Sequence, residues 1–118
     1  MHDTKNIIHR DIKPLNIMLT EEDNLETVTV IDFGFAVEYK QKNLKDFTRC
    51  GTVLYQPPEQ AKNMYAYTKN ADSFAAGIIA FLLLTGVHPL LKKGDTAKGY
   101  TNRLKEYESF NYPETMSV

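Results

Sequence analysis

Asp11, Lys13 and Asn16 fall together in the stretch HRDIKPLNIML (residues 9–19), and a second carboxylate, Asp32, follows the β-branched run LETVTVI. A carboxylate held in a stiff loop can accept the proton of an attacking hydroxyl, and a lysine two residues further on can meet a transferring phosphoryl group as a point charge. Pro14 supplies the stiffness, because it fixes its own φ and biases Lys13 toward an extended conformation. Asn16 and Asp32 carry oxygen ligands suited to a hard cation such as Mg²⁺, the kind of ion used to grip a polyphosphate. Base, cation and metal ligands thus point to phosphoryl transfer at a metal-nucleotide site, provided that the fold brings the two halves together.

The surrounding elements are expected to do so. Ile17–Leu19 is a short apolar run, followed by the acidic turn TEEDN and then by LETVTVI (25–31), which reads as two strands of an antiparallel hairpin. A hairpin sets the start of its first strand beside the end of its second, so Asn16 and Asp32 should share one end, about 4.8 Å being the spacing of adjacent strands. Gly34, free to take positive φ, is expected to turn the chain away sharply and leave Asp32 presented. Residues 32–57 show little periodicity and predict a long segment without secondary structure of its own. EQAKNM, after Pro57-Pro58, predicts a short helix with proline in its first turn. Asn70 is the expected cap of the next helix, which passes through Asp72, is apolar on every side and stops at Gly86; such a helix should be central. Residues 96–107 predict a weaker amphipathic helix, and the tail ESFNYPETMSV predicts no closing element. Neither repeats nor low-complexity tracts interrupt the chain.

With 118 residues, 42% of them hydrophobic and 25% charged, the composition is that of one ordinary globular domain with a modest core. The 14 basic and 15 acidic residues nearly cancel, so neither nucleic acid nor an anionic membrane surface is an expected partner, and charge-driven function must be local. A single cysteine, Cys50, excludes an internal disulfide, fits a reducing compartment and reads as a small buried hydrophobe. The N-terminal residues lack the pattern of a signal or transit peptide, and the apolar stretch 74–84 is well short of the roughly 20 residues that span a bilayer. A cytoplasmic location is therefore the expectation. His2 and His88 read as surface or packing residues, and Lys40, Lys42 and Lys45 as a solvated loop face.

HRDIKPLN resembles the catalytic loop of protein kinases, and IDFG resembles their metal-binding DFG segment, motifs whose mechanics are general to that family. GTVLYQPPE (51–59) is similar to the GTxxYxAPE close of the activation segment, and ADSFAAGIIAFLLLTGVHP resembles the family's central helix. The resemblance covers nearly the whole chain. It implies an α+β, mainly helical fold, a kinase-like C-terminal lobe with a small antiparallel hairpin. Position by position, it makes Asp11 the catalytic base, Lys13 the phosphate contact, and Asn16 and Asp32 the magnesium ligands, with ATP and Mg²⁺ as cofactors and a protein serine or threonine as the acceptor. It also makes His9 a packing residue, Arg10 the partner of a phosphorylated activation segment, and Thr48 the phosphorylated position. Thr52 would position the loop near Asp11, Asp72 would hold the catalytic-loop backbone by hydrogen bonds, and Glu59 would support the end of the activation segment. Lysine at position 13 resembles the serine/threonine type, and RCGT leans toward calmodulin-dependent or cyclic-nucleotide-dependent relatives.

Some positions depart from the family pattern. Leu15 stands where glutamate is usual, Pro57 where alanine is usual, and Phe74, Ala75 and Ala76 replace a Trp-Ser-Leu run; none of these touches the phosphoryl-transfer groups. The sequence holds no glycine-rich phosphate loop, no Val-Ala-Ile-Lys strand and no helix glutamate to pair with that lysine. The expectation is thus a partial catalytic domain over residues 1–118, cut at both ends, with Met1 internal, the N-terminal lobe absent and no late helices to supply an arginine for Glu59. Two functions fit: a serine/threonine kinase that needs its missing small lobe for activity, or a non-catalytic kinase-like binding or scaffold protein.

Overall fold

Residues 1–39, 50–62 and 68–106 are described by a computed structural model of the chain. The segments 40–49, 63–67 and 107–118 lie outside the described residues, and with them Thr48, the Lys40, Lys42 and Lys45 face, and the tail. The short helix α1 (His2–Lys5) leads into strand β1 (Ile7–Ile8), and the loop from His9 onward passes through a 3-10 turn at Pro14–Asn16 into β2 (Ile17–Leu19). β3 (Val28–Val30) runs antiparallel to β2 in the register Ile17 to Val30 and Leu19 to Val28. The hairpin is the one expected, with its second strand shortened: Leu25–Thr27 form a 3-10 turn because the Asn24 side chain accepts the Glu26 N–H and caps it.

Within 32–57 the described residues, 32–39 and 50–57, carry local structure that their polarity does not predict. β4 (Val37–Glu38) pairs antiparallel with β1, Ile8 facing Val37, and Val53–Tyr55 form a further 3-10 turn. The second helix, α2 (Pro58–Lys62), carries its proline in the first turn as expected.

The helix α3 (Lys69–Thr85) begins two residues earlier than a cap at Asn70 would allow. Thr68, in an extended conformation, occupies the cap position, and Asn70 is an exposed residue of the first turn. At the other end Gly86 takes φ +73° and donates to Leu82 C=O, the left-handed stop that the sequence predicts. Ala71, Asp72, Ala75, Ile78 and Ile79 recur at helical spacing and form one buried stripe. The helix is not covered on every side by the described residues: Leu83 and Leu84 are 80% and 76% exposed, because the packed elements all meet its N-terminal two-thirds.

Helix α4 (Ala97–Lys105) is capped by Thr96, whose Oγ1 accepts the Gly99 N–H at 3.1 Å. It turns Tyr100 and Leu104 inward onto Ile78 and Leu90, with Val53, Leu54, Tyr55, Ala61 and Phe74 packed around them. A second cluster joins Ile12, Ala75 and Ile79 to Ile17 and Val30, and Tyr55 touches both. Full burial of each such side chain contributes about 1.5–3 kcal/mol, so the second cluster fixes the hairpin and the 9–16 loop against α3. Among the described residues no helix is long and apolar enough to cross a membrane.

Candidate functional site

The loop between β1 and β2 is clamped from below by one buried carboxylate. Asp72, in the first turn of α3, accepts the His9 N–H at 2.8 Å through Oδ2 and the Arg10 N–H at 3.0 Å through Oδ1. Arg10 sits at φ +68°, a left-handed conformation costing a non-glycine residue roughly 1–2 kcal/mol, and the bond to Asp72 holds it there. His2, read from sequence only as a surface or packing residue, adds a third bond to this carboxylate, Nε2 to Oδ2 at 2.8 Å. Arg10 Nε donates to Phe35 C=O at 2.5 Å and so ties the loop to the segment that follows the hairpin.

His9 does more than pack. Fully buried, it accepts the Asp11 N–H on Nδ1 at 3.3 Å; the ring proton therefore resides on Nε2, which donates to Ile31 C=O at 3.0 Å. Its ring meets Phe33 edge-on at 4.9 Å. One imidazole thus spaces the loop residue Asp11 from the end of β3.

Asp11 is itself buried, and its charge is compensated by three donors from different parts of the chain. Thr52 Oγ1 donates to Oδ1 at 2.9 Å, Lys13 Nζ lies 2.8 Å from Oδ2, and Asn16 Nδ2 reaches Oδ2 at 3.3 Å and the Asp11 C=O at 2.9 Å. Lys13 Nζ also donates to Thr52 Oγ1 at 3.2 Å, closing a triangle of base, cation and hydroxyl. Thr52 reaches the loop because Gly51, at φ +91°, brings the backbone against Arg10; a Cβ at Gly51 would stand 2.6 Å from the Arg10 carbonyl oxygen. Sequence reasoning met Gly51 only as the first letter of GTVLYQPPE and gave it no role, since the obstructing atom lies 41 residues away.

Asn16 and Asp32 lie at the same end of the hairpin, as expected. Ile31 N–H donates to Asn16 C=O at 2.9 Å, setting Asp32 one residue beyond the pair. The turn at Asp32 differs from expectation. Positive φ falls on Asp32 itself, at +60°, and not on Gly34; aspartate tolerates this region better than most residues. Gly34 N–H donates to Asp32 Oδ1 at 3.1 Å, and a Cβ at position 34 would sit a tight 3.1 Å from the same oxygen. The donor set fits a hard cation. The Asn16 amide nitrogen is spent on Asp11, which turns Oδ1 into the available ligand atom, and Asp32 keeps Oδ2 beyond its bond to Gly34.

Of the remaining sequence-derived residues, Glu59 occupies the partly exposed first turn of α2, apart from the Asp11 cluster, and Thr48 lies outside the described residues. Cys50 is half-buried and not a core residue; the Gln56 side chain donates to its carbonyl at 2.9 Å. His88 packs, as expected, between Tyr55 and Tyr100, and its Nε2 donates to Leu54 C=O at 2.8 Å. Burial pushes the Tyr100 hydroxyl up to about 12, and that hydroxyl donates to the same Leu54 carbonyl at 3.2 Å.

The family profile described as protein kinase domain matches residues 1–118. The chain is 42% identical over 84 residues to serine/threonine-protein kinase ATG1b of Arabidopsis thaliana, an alignment covering 71% of this chain and 12% of that protein. It is 35% identical over 109 residues to myosin light chain kinase A of Dictyostelium discoideum, covering 92% and 35% of the two chains. It is 34% identical over 116 residues to a cAMP-dependent protein kinase catalytic subunit of Arthrobotrys oligospora, covering 96% and 21%. The chain therefore spans between 12% and 35% of the length of these three relatives.

Proposed function

Because the chain belongs to the protein kinase family, serine/threonine type, we propose that it carries the catalytic and metal-binding half of a site that transfers the γ-phosphoryl group of ATP to a protein serine or threonine. The observation that carries this reading is the closed cluster Asp11–Lys13–Thr52–Asn16, fixed by one register bond beside Asp32. Asp11 Oδ1 or Oδ2 accepts the proton of the attacking hydroxyl as the oxygen bonds to phosphorus, and the leaving diphosphate departs with the electron pair of the broken P–O bond. Lys13 swings its ammonium from Asp11 toward the transferring phosphoryl oxygens, while Thr52 keeps the carboxylate aimed. Asn16 and Asp32 would hold Mg²⁺, which would supply charge neutralisation on the phosphates.

In this reading Arg10 and Thr48 form a regulatory pair, with a phosphate on Thr48 giving the guanidinium a bidentate anionic partner. The adenine contacts and the glycine-rich loop come from a small lobe outside these 118 residues. The four chemically active groups stand together, which favours catalysis over a purely scaffolding role.

The test is phosphate transfer from radiolabelled ATP to serine and tyrosine peptides by the full chain carrying its small lobe. Asp11→Asn is expected to lower kcat by about 10²–10⁴, the typical worth of a positioned general base, with little change in ATP affinity. Near wild-type turnover by this variant would remove Asp11 from its role.

A further inference from the structure

Thr52 touches Asp11, and the turn that carries Thr52 is weakly held by its own backbone. Thr52 stands at the cap position of the 3-10 turn Val53–Tyr55, but its hydroxyl is spent on Asp11 Oδ1 and makes no cap bond to that turn. Two backbone bonds close the turn, Tyr55 N–H to Thr52 C=O at 3.0 Å and Gln56 N–H to Val53 C=O at 3.3 Å. The third of the series would run from residue 57 to Leu54 C=O. Position 57 is proline, which has no N–H and biases Gln56 toward the extended conformation it adopts, at ψ 139°. The ladder stops there, and Leu54 C=O must find donors elsewhere. A 3-10 turn of three residues, none of them fully buried, has little to hold it otherwise.

The donors come from the chain beyond the end of α3. His88, just past the Gly86 stop, donates from Nε2 to Leu54 C=O at 2.8 Å, and Tyr100 of α4 adds its hydroxyl at 3.2 Å. The His88 ring is itself fixed. Its Nδ1 accepts the Leu90 N–H at 3.2 Å and the Leu91 N–H at 3.1 Å, which leaves the ring proton on Nε2, facing the carbonyl. Tyr55 and Tyr100 meet the ring edge-on, with centroids 6.2 and 5.8 Å away. Both nitrogens and both flanks are committed, so the imidazole is a short strut between the segment 87–91 and the Leu54 carbonyl.

Thr52 is thus held from two sides. Gly51 packs on the Arg10 carbonyl ahead of it, and the Leu54 carbonyl is tied down behind it. With the Gly51 side alone fixed, the chain can turn about Thr52 and carry its hydroxyl off Asp11 Oδ1, and a displacement of about 1 Å at a reacting group costs on the order of 10²-fold in rate. We infer that His88 is a positioning residue for phosphoryl transfer: through the Leu54 carbonyl it holds Thr52, and through Thr52 it holds the carboxylate of Asp11. Naming the reaction rests on the kinase reading above; the strut from His88 to Thr52 does not.

Two substitutions divide the imidazole into its halves. His88→Gln keeps an N–H donor near the place of Nε2, whereas His88→Asn keeps an acceptor near the place of Nδ1 and ends short of Leu54. In peptide phosphorylation by the full chain carrying its small lobe, His88→Asn should lower kcat at least about 10-fold with KM for ATP within about 2-fold of wild type, and His88→Gln should keep kcat within about 3-fold. A residue serving only the 87–91 turn gives the reverse order, so turnover kept by His88→Asn and lost by His88→Gln would overturn the proposal. Equal turnover in all three proteins would do the same. Combined with Thr52→Val, His88→Asn should cost little further kcat, because the strut acts through that hydroxyl; losses that multiply would show it acts elsewhere and overturn the relay. The same pair is read in urea unfolding without nucleotide or peptide, where the midpoint shift of the double variant should be smaller than the sum of the single shifts. Additive shifts would overturn the strut whatever the activity. A wild type that phosphorylates no serine or threonine peptide while this coupling persists would refute the kinase reading and bear the strut out.

Discussion

Replacing Asp72 by asparagine changes one oxygen into an NH₂ and leaves the shape of the side chain intact, so it isolates the hydrogen-bond clamp under the loop. Asparagine can keep one acceptor for either His9 N–H or Arg10 N–H, but the other N–H then faces a donor in a site where Asp72 is only 5% exposed. A buried hydrogen bond to a charged group contributes about 1.5–3 kcal/mol, and the orphaned N–H adds a further desolvation cost of about 1–3 kcal/mol. Arg10, at φ +68°, then loses half of its restraint against a conformation that costs roughly 1–2 kcal/mol to hold. Together these give an expected loss of about 3–5 kcal/mol in urea unfolding, the range typical of breaking a buried network. Where the loop relaxes without unfolding, Asp11 next to Arg10 moves with it, and a displacement of about 1 Å costs on the order of 10²-fold in kcat. The paired assay is equilibrium urea unfolding and peptide phosphorylation on the same preparation. A stability change under about 0.5 kcal/mol with unchanged kcat would refute the clamp, because surface-like substitutions fall in that range.

Gly51→Ala should destabilise the chain by more than about 1–2 kcal/mol, since φ +91° is unfavourable for alanine and its Cβ would meet the Arg10 carbonyl oxygen at 2.6 Å; chemical denaturation reads the loss. Thr52→Val should lower kcat by about 10-fold or more and cost about 1–3 kcal/mol of stability, and Thr52→Ser should restore both, because the hydroxyl bond to Asp11 Oδ1 and not the methyl aims and satisfies the buried carboxylate. Stability should fall at both pH extremes, for different groups. The Asp95 carboxyl, held at about 2 against 3.8 when unfolded, stabilises fully above about pH 4 and progressively less as pH falls toward 2. Tyr100, raised from 10.0 to about 12, keeps its proton in the folded state while the unfolded chain gives it up, so stability drops as pH rises from 10 to 12. Thermal melts of Asp95→Asn should lack the acid limb and those of Tyr100→Phe the alkaline limb.

The hairpin was legible because a short apolar run and a β-branched run flank a polar acidic turn, and its observed register half-buries Ile17 and Val30 and sets Asn16 and Asp32 at one end. The stop of α3 at Gly86 was legible for a local reason, the freedom of glycine at a helix end. The pairing of Ile7–Ile8 with Val37–Glu38 was not, since two-residue strands carry no periodicity and their partners are thirty residues apart. Gly34 was read for the wrong property: local reasoning assigned it the left-handed turn, whereas Asp32 adopts that conformation and Gly34 instead makes room for the aspartate oxygen. Asp72, His9 and Thr52 owe their assigned roles to the family resemblance. Their long-range bonds, like the His2 contact to Asp72, join residues 22 to 70 apart, which spacing along a chain cannot reveal.

The interval between positions 39 and 50 begins and ends on almost the same place. Tyr39 N–H is bonded to Asn6 C=O at 2.5 Å, and Gly51 rests on the Arg10 carbonyl, so both anchors belong to one short piece of chain just ahead of Asp11. Anchors this close fix the two ends of whatever chain runs between them, and the entropy of bringing two ends together grows only with the logarithm of the number of residues between. Doubling the number of residues between the anchors would cost about 0.6 kcal/mol, less than one hydrogen bond of the clamp beneath Arg10. The stretch can therefore lengthen, shorten or change its composition over evolutionary time while Asp11, Lys13 and Thr52 keep their mutual geometry. Asp11, Lys13 and Thr52 are thereby insulated from changes in the number of residues between the two anchors.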